Sequence, residues 1–284
     1  MDAEKKDQVP EDCEGVCSSC ETDCASRDSG PPPKAPLLED VRIGRTIAVA
    51  SGKGGVGKSL VTLLLATALR RQGQRVGILD ADITGPSIPR ALGVEERLRA
   101  DARGILPSVS EGGIEVVSTN LILPADTTPV IWRGSIISGM VRQFYSEVVW
   151  GELDVLLIDM PPGTGDVPLT VYQSLPIEGV LIVTAPQALV SMIVGKAINM
   201  ARTMDVEVLG LVENMAYYEC PDCGASHEVF GKSTVDEMAA EYDISLVARV
   251  PVMPDFARHM DDGSVESLAS DALGPLASAL VAPA

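Results

Sequence analysis

The sequence predicts an α/β protein in which a mostly parallel, twisted sheet is flanked by helices and preceded by a Cys-rich N-terminal tail. Three observations carry that expectation. From Thr46 onward, short β-branched apolar runs alternate with long amphipathic stretches, the pattern of parallel strands joined by helical crossovers. The first run ends in a glycine-rich loop that opens a helix. Residues 1–40 follow neither periodicity: they are acidic, contain Pro31-Pro32-Pro33, and read as a tail and linker before a single domain over 41–284.

Taken in order, the expected strands are Thr46–Ala50, Val76–Asp80, Ile114–Ser118, Val155–Asp159, Gly179–Thr184, Val208–Glu213 and Leu246–Val250. Ser59–Gln72 is a helix closed by Gly73, and Gln187–Met204 is another, on which Met192, Met200 and Met204 recur at helical spacing and are assigned to packing. Ser264–Leu280 reads as one short acidic helix lying on the domain.

A chain of 284 residues that is 46% hydrophobic supplies a real core. Its formal net charge of -18 repels nucleic-acid phosphates and anionic lipid surfaces, so neither nucleic acid nor membrane is expected as a partner. The first residues lack the apolar core of a signal peptide, and no run approaches the ~20 apolar residues of a membrane span, which points to a cytoplasmic protein.

The loop "SGKGGVGKS", Ser51 to Ser59, satisfies two glycine-rich patterns. Gly52, Gly54 and Gly57 fit a dinucleotide fingerprint, with Asp80 where a ribose-binding acid would stand; Gly52, Gly57, Lys58 and Ser59 fit a phosphate-binding P-loop. Lys58 and Ser59 decide between them: an ammonium for the β/γ-phosphates and a hydroxyl for Mg²⁺ belong only to the second. Val155–Asp159 adds the matching half, an apolar strand ending in a carboxylate near the metal's water shell. The candidate nucleotide ligands are therefore Gly52, Lys53, Gly54, Gly55, Val56, Gly57, Lys58 and Ser59, joined by Asp80 and Asp159, with ATP and Mg²⁺ as the expected cofactors. Two loops read as nucleotide-sensing switches: Asp80 to Ser87, with carboxylates for water and metal shell, and Asp159 to Asp166, whose glycines free backbone N–H groups to approach a γ-phosphate.

The second lysine, Lys53, makes the loop resemble the deviant phosphate loops of the MinD, ParA and nitrogenase iron-protein group. That resemblance implies an ATP-dependent homodimer in which Lys53 reaches toward the partner's nucleotide. It also favours Asp82 for orienting the attacking water and Asn214 for reading adenine. Lys53, Lys58 and Asp82 are the candidate catalytic residues.

Six cysteines form two groups, Cys13, Cys17, Cys20 and Cys24, then Cys220 and Cys223. In a reducing compartment such groups bind metal or do redox chemistry more often than they form disulfides. Cys220-Pro221-Asp222-Cys223 is half a tetrahedral site; a second copy of the chain would complete it, and nearby His227 would add only one ligand. A thioredoxin-like redox pair and a structural zinc knuckle are the alternatives. Neither His227 nor His259 is assigned to catalysis, and Arg133 beside Trp132 fits either phosphate recognition or a surface ion pair.

The stretches "GKGGVGKS", "LDADITGPSIPRALG", "IWRG", "LLIDMPPGTGD", "VENMAYYECPDCG" and "HEVFG" stand in the order in which they resemble the Mrp family of P-loop iron-sulfur carrier proteins. The resemblance implies an ATPase that holds a 4Fe-4S cluster on Cys220 and Cys223 of two subunits and delivers it to apo iron-sulfur proteins. An ATP-dependent electron donor like the nitrogenase iron protein, and a MinD- or ParA-like positioning ATPase with a zinc site, are the competing functions. Arg133 to Ile136 and Gly231 to Thr234 depart from the family pattern. The N-terminal thiols, spaced C-x3-C-x2-C-x3-C, resemble the Cys-rich extension of the eukaryotic-type scaffold branch; a second cluster, zinc, or an unliganded tail all fit them.

Overall fold

A computed structural model describes residues 33–83, 85, 87–123, 134–186, 190–268 and 270–282. Cys13, Cys17, Cys20, Cys24, Trp132 and Arg133 lie outside the described residues.

Along the chain, β1 (Arg42–Ser51) leads through the glycine-rich loop into α1 (Lys58–Arg71), followed by β2 (Val76–Asp80) and the short α2 (Ile88–Ala91). Three two-residue strands come next: β3 (Arg99–Ala100), β4 (Ile105–Leu106) and β5 (Ser108–Val109). Then follow β6 (Glu115–Ser118), α3 (Gly134–Ser146), β7 (Glu152–Asp159), α4 (Asp166–Ser174), β8 (Gly179–Thr184), α5 (Val190–Thr203) and β9 (Glu207–Glu213). A small hairpin, β10 (Tyr218–Glu219) with β11 (Ser226–His227), precedes α6 (Val235–Glu241), β12 (Val247–Arg249), α7 (Phe256–Asp261) and α8 (Gly274–Val281).

Eight strands form the main sheet in the order β12-β9-β8-β1-β7-β2-β6-β5, all neighbours parallel except β5 against β6. The central strands are almost continuously apolar because both of their faces are covered. On one face, Val141, Phe144, Val171 and Ile198 of α3, α4 and α5 meet the sheet; on the other, Leu63, Leu65 and Leu69 of α1 pack with Ile88, Leu276 and Leu280. Each such leucine contributes about 1.5–3 kcal/mol by leaving water. The crossover after β1 runs to β2 on one side, whereas the crossover after its neighbour β7 runs back past β1 to β8 on the other. That opens a crevice at the C-terminal ends of β1 and β7, where ligands of open α/β sheets bind.

Three expectations need correction. The compact α/β unit begins before residue 41, at Ala35: Ala35 and Val41 are buried, and the Ala35 N–H donates to the Ser174 carbonyl at 2.7 Å. Met192 is 63% exposed, while Met200 and Met204 pack on the core; eight residues turn a helix by about 80° beyond full turns, which takes Met192 off the buried face. Ser264–Leu280 is not one helix but a 3-10 turn, Val265–Ser267, and then α8. Pro275 has no N–H to continue a preceding helix and instead starts a new one.

Candidate functional site

The glycine-rich loop is shaped by two close approaches. Gly57 caps α1 in a left-handed conformation, φ 80°, and a Cβ there would stand 2.1 Å from Asn214 Nδ2. At Gly52 a Cβ would stand 2.4 Å from Ile193 Cγ2 and 2.7 Å from the Ile193 carbonyl oxygen, so the loop lies flat on the start of α5. Helix α1 has no side-chain cap and no acid in its first turn. Its leading N–H groups are therefore left for an anion, and the helix dipole adds partial positive charge there.

Lys58, only 6% exposed, stands at the mouth of that helix with its Nζ 2.7 Å from Asp159 Oδ2 and 3.8 Å from Asp82 Oδ2. Ser59 Oγ donates to Asp159 Oδ2 at 2.6 Å, and Thr62 Oγ1 donates to Asp159 Oδ1 at 2.7 Å. A fully buried carboxylate is tolerated because a cation and two hydroxyls surround it. Parallel register sets Asp80 of β2 beside Asp159 of β7. Burial, and then the neighbouring Asp159 charge, push the Asp80 carboxyl well above the usual range, while Lys58 and the Ser118 hydroxyl pull it back. Asp80 also accepts from Ser118 Oγ at 3.0 Å and from the Asp82 N–H at 3.1 Å, which ties the first switch loop to the strand ends.

Asp80, Asp82, Asp159, Lys58 and Ser59 thus come together, and Lys58, Ser59 and Asp82 line a cavity of about 270 Å³ with Gly54, Gly55, Val56, Pro162 and Met260. The Gly163 N–H donates to the Ser51 carbonyl at 2.9 Å and fastens the loop after β7 to the start of the glycine-rich loop. Lys53 is half-buried, and its carbonyl accepts from Ser51 Oγ at 3.0 Å. The donor set fits a nucleotide triphosphate with Mg²⁺: uncapped N–H groups, an ammonium, a hydroxyl and carboxylates for the metal's water shell. A larger cavity of about 430 Å³ lies between α2 and α7, but its lining mixes Arg90 and Arg97 with Glu95, Asp261 and Asp262 and holds neither a lysine nor a hydroxyl side chain.

Asn214 is fully buried beneath the loop, its Nδ2 donates to the Val56 carbonyl at 2.9 Å, and its Oδ1 has no hydrogen-bond partner among the described residues. Thr62 and Ser118 were not singled out by motif. Thr62 lies three residues after Ser59 on the same helical face, a spacing that could have flagged it; Ser118 becomes visible only through strand register.

Cys220 and Cys223 sit at the tip of the β10–β11 hairpin, Cys220 half-buried and Cys223 exposed. The turn is closed by the Gly224 N–H on the Cys220 carbonyl at 2.8 Å and by the Cys220 N–H on the Ala225 carbonyl at 2.9 Å. N–H groups of Asp222 and Cys223, with the Cys223 side chain, hold the Cys220 thiol below its ordinary range. That favours the thiolate form, which is the metal ligand. His227 is exposed at the hairpin base, and no group of three or more His, Cys, Asp or Glu side chains suited to a metal occurs among the described residues. No helix among them is long and apolar enough to cross a membrane.

Comparison with known proteins agrees with this geometry. A ParA family model described as NUBPL iron-transfer P-loop NTPase matches residues 42–280. A Clostridium perfringens protein named iron-sulfur cluster carrier protein is 43% identical over 272 residues, spanning 90% of this chain and 95% of its own. A namesake from Methanocaldococcus jannaschii is 45% identical over 251 residues, 85% of each chain. A nucleotide-binding protein from Archaeoglobus fulgidus, solved in complex with ADP, is 46% identical with a TM-score of 0.73, over 81% of this chain and 90% of that one. The cell division ATPase MinD from Pyrococcus furiosus shares the fold at 21% identity, with a TM-score of 0.60 over 84% of this chain and 98% of its own.

Proposed function

Because this chain belongs to the NUBPL iron-transfer family of P-loop NTPases, we propose that it is a cytoplasmic iron-sulfur cluster carrier that hydrolyses ATP and hands a 4Fe-4S cluster to apo-proteins. One observation carries the reading: a complete phosphate site and a pair of exposed thiols are joined by the end of a single strand, β9, in the same chain.

ATP is the substrate of the phosphate site. Backbone N–H groups of Gly54 to Ser59 and the Lys58 ammonium hold its phosphates, and Lys58 exchanges Asp159 for phosphate oxygen as it does so. Mg²⁺, when bound, neutralises phosphate charge, with the Ser59 hydroxyl as its protein ligand and Asp159 and Asp80 near its water shell. Asp82 orients the water that attacks the γ-phosphorus and releases ADP and phosphate. Lys53 acts on the nucleotide of a second copy, and Asn214 Oδ1 is an acceptor of the polarity that the adenine amino group satisfies. The cluster is cargo. Two thiols fill half of its four protein positions, so two chains meet at their hairpins to hold one cluster between them. The Cys13, Cys17, Cys20 and Cys24 group would hold a second metal centre.

The test is cluster transfer from reconstituted protein to an apo-ferredoxin, followed by visible absorption under anaerobic conditions with and without a non-hydrolysable ATP analogue. A nucleotide-dependent rate supports the reading; identical rates count against the coupling.

A further inference from the structure

We propose that Glu213 and Asn214, consecutive at the end of β9, are positioning residues that transmit the state of the phosphate loop to the Cys220–Cys223 hairpin. The inference rests on the nucleotide-gated carrier reading and gives it a path, distinct from the switch loops that follow β2 and β7.

On one side, Asn214 is locked to the loop. Its Nδ2 holds the Val56 carbonyl at 2.9 Å, and the space beside Gly57 is so tight that a single Cβ would come within 2.1 Å of that nitrogen. Any movement of the loop as it closes on phosphate is therefore felt by Asn214, because interiors this dense do not absorb displacement.

On the other side, Glu213 is 2% exposed, with Arg249 Nε 3.8 Å from its Oε2. Arg249, on β12, is also paired with Asp236 on α6, the helix that follows the hairpin. Asn214 Oδ1 is buried without a hydrogen-bond partner among the described residues, whereas the Glu213 carboxylate faces Arg249 and is hydrogen-bonded by Ser233, which stands between the hairpin and α6.

The next residue supplies a bend. Met215 adopts a left-handed backbone, φ 56°, which a non-glycine residue holds only under strain. Beyond it, the Ala216 N–H on Val250 and the Val252 N–H on Tyr217 tie the segment to the exit of β12, and Cys220 follows Asn214 by six residues. Loop, amide, bend and thiols form one continuous stretch. Nucleotide at Val56 and Gly57 shifts Asn214, the Glu213–Arg249 contact adjusts, and the hairpin changes its presentation of the two thiols.

The experiment uses the full-length, reduced, metal-free chain in which Cys13, Cys17, Cys20 and Cys24 are replaced by serine. Alkylation rates of Cys220 and Cys223 are read by peptide mass spectrometry with and without a saturating Mg²⁺–ATP analogue, nucleotide occupancy being measured by calorimetry on each sample. Without the relay substitutions, this background chain should show a change of about five-fold on nucleotide binding. Adding Asn214→Ser, with nucleotide bound, should bring the ratio to one. Arg249→Met, which leaves the phosphate site untouched, should bind nucleotide normally and reduce the ratio toward one; it decides the matter if Asn214→Ser does not fold or bind. A full ratio in occupied Asn214→Ser or in Arg249→Met overturns the relay, as does a ratio of one in the background chain. Because no cluster is present, these outcomes are independent of whether the thiols carry iron.

Discussion

At the phosphate loop, Lys58, Asp159, Ser59 and Thr62 sit in one hydrogen-bonded knot at the end of a fully covered sheet. At the hairpin, two strands of two residues each hold up a turn whose residues 221–225 are all exposed. The first region spends burial and polar partners on one fixed geometry, as transition-state stabilisation requires. The second keeps its thiols accessible, as loading and unloading a cluster requires. Function in this chain is therefore divided between a stiff region that determines stability and a lightly held one that determines cargo, and substitutions should separate the two.

The largest effect is expected at Lys58. Lys58→Ala should lower ATP hydrolysis by about 100-fold or more. It should also cost about 3–5 kcal/mol in urea unfolding, because Asp159 loses its cation while remaining buried. An unfolding midpoint unchanged from wild type would show that the loop is not the stiff region described here. Next is Gly57→Ala, which forces a side chain into a left-handed position and against Asn214; a loss of about 1–3 kcal/mol is expected, read by thermal melting.

A background titration belongs to neither region. Burial raises Glu115, on β6, to about 7, and its Oε2 lacks a partner among the described residues. Between the ordinary carboxyl value and about 7, the folded chain keeps this proton while the unfolded chain has released it, so stability falls as pH rises through that window. Partial exposure limits the drop to on the order of 1 kcal/mol, and Glu115→Gln should flatten it in unfolding curves taken at successive pH values. The smallest effect on stability should come from the hairpin. Cys220→Ser with Cys223→Ser is expected to stay within about 0.5 kcal/mol of wild type while abolishing iron at that site. A loss of several kcal/mol would make the pair structural, in the manner of a zinc knuckle.

The two regions also differ in how much of them could be read from residues alone. β2 and β8 end where periodicity places them, since an apolar run closed by Asp80, or by Thr184 before Ala185-Pro186, carries its own boundary. The phosphate site was legible for the same reason: its chemistry lies in contiguous motifs, and parallel register brings them together. Thr62 and Ser118 escaped because their partners, Asp159 and Asp80, are distant in sequence and adjacent only across the sheet. The buried position of Asn214 escaped as well, since an Asn at a strand end looks alike whether it faces a ligand or the underside of a loop. β10 and β11 are too short to show alternation, so the hairpin is visible only as a Cys-x-x-Cys spacing. α3 carries Gly134 and Gly139, which weaken its helical pattern in the sequence.

The central claim is that the hairpin thiols are half of a shared site. Its most direct test is anaerobic reconstitution of a chain lacking Cys13, Cys17, Cys20 and Cys24, with iron content and native mass determined on the same sample. The account predicts one four-iron cluster per two chains, found only in the dimer and lost in Cys220→Ala/Cys223→Ala. A monomer that retains metal on Cys220 and Cys223 would contradict it.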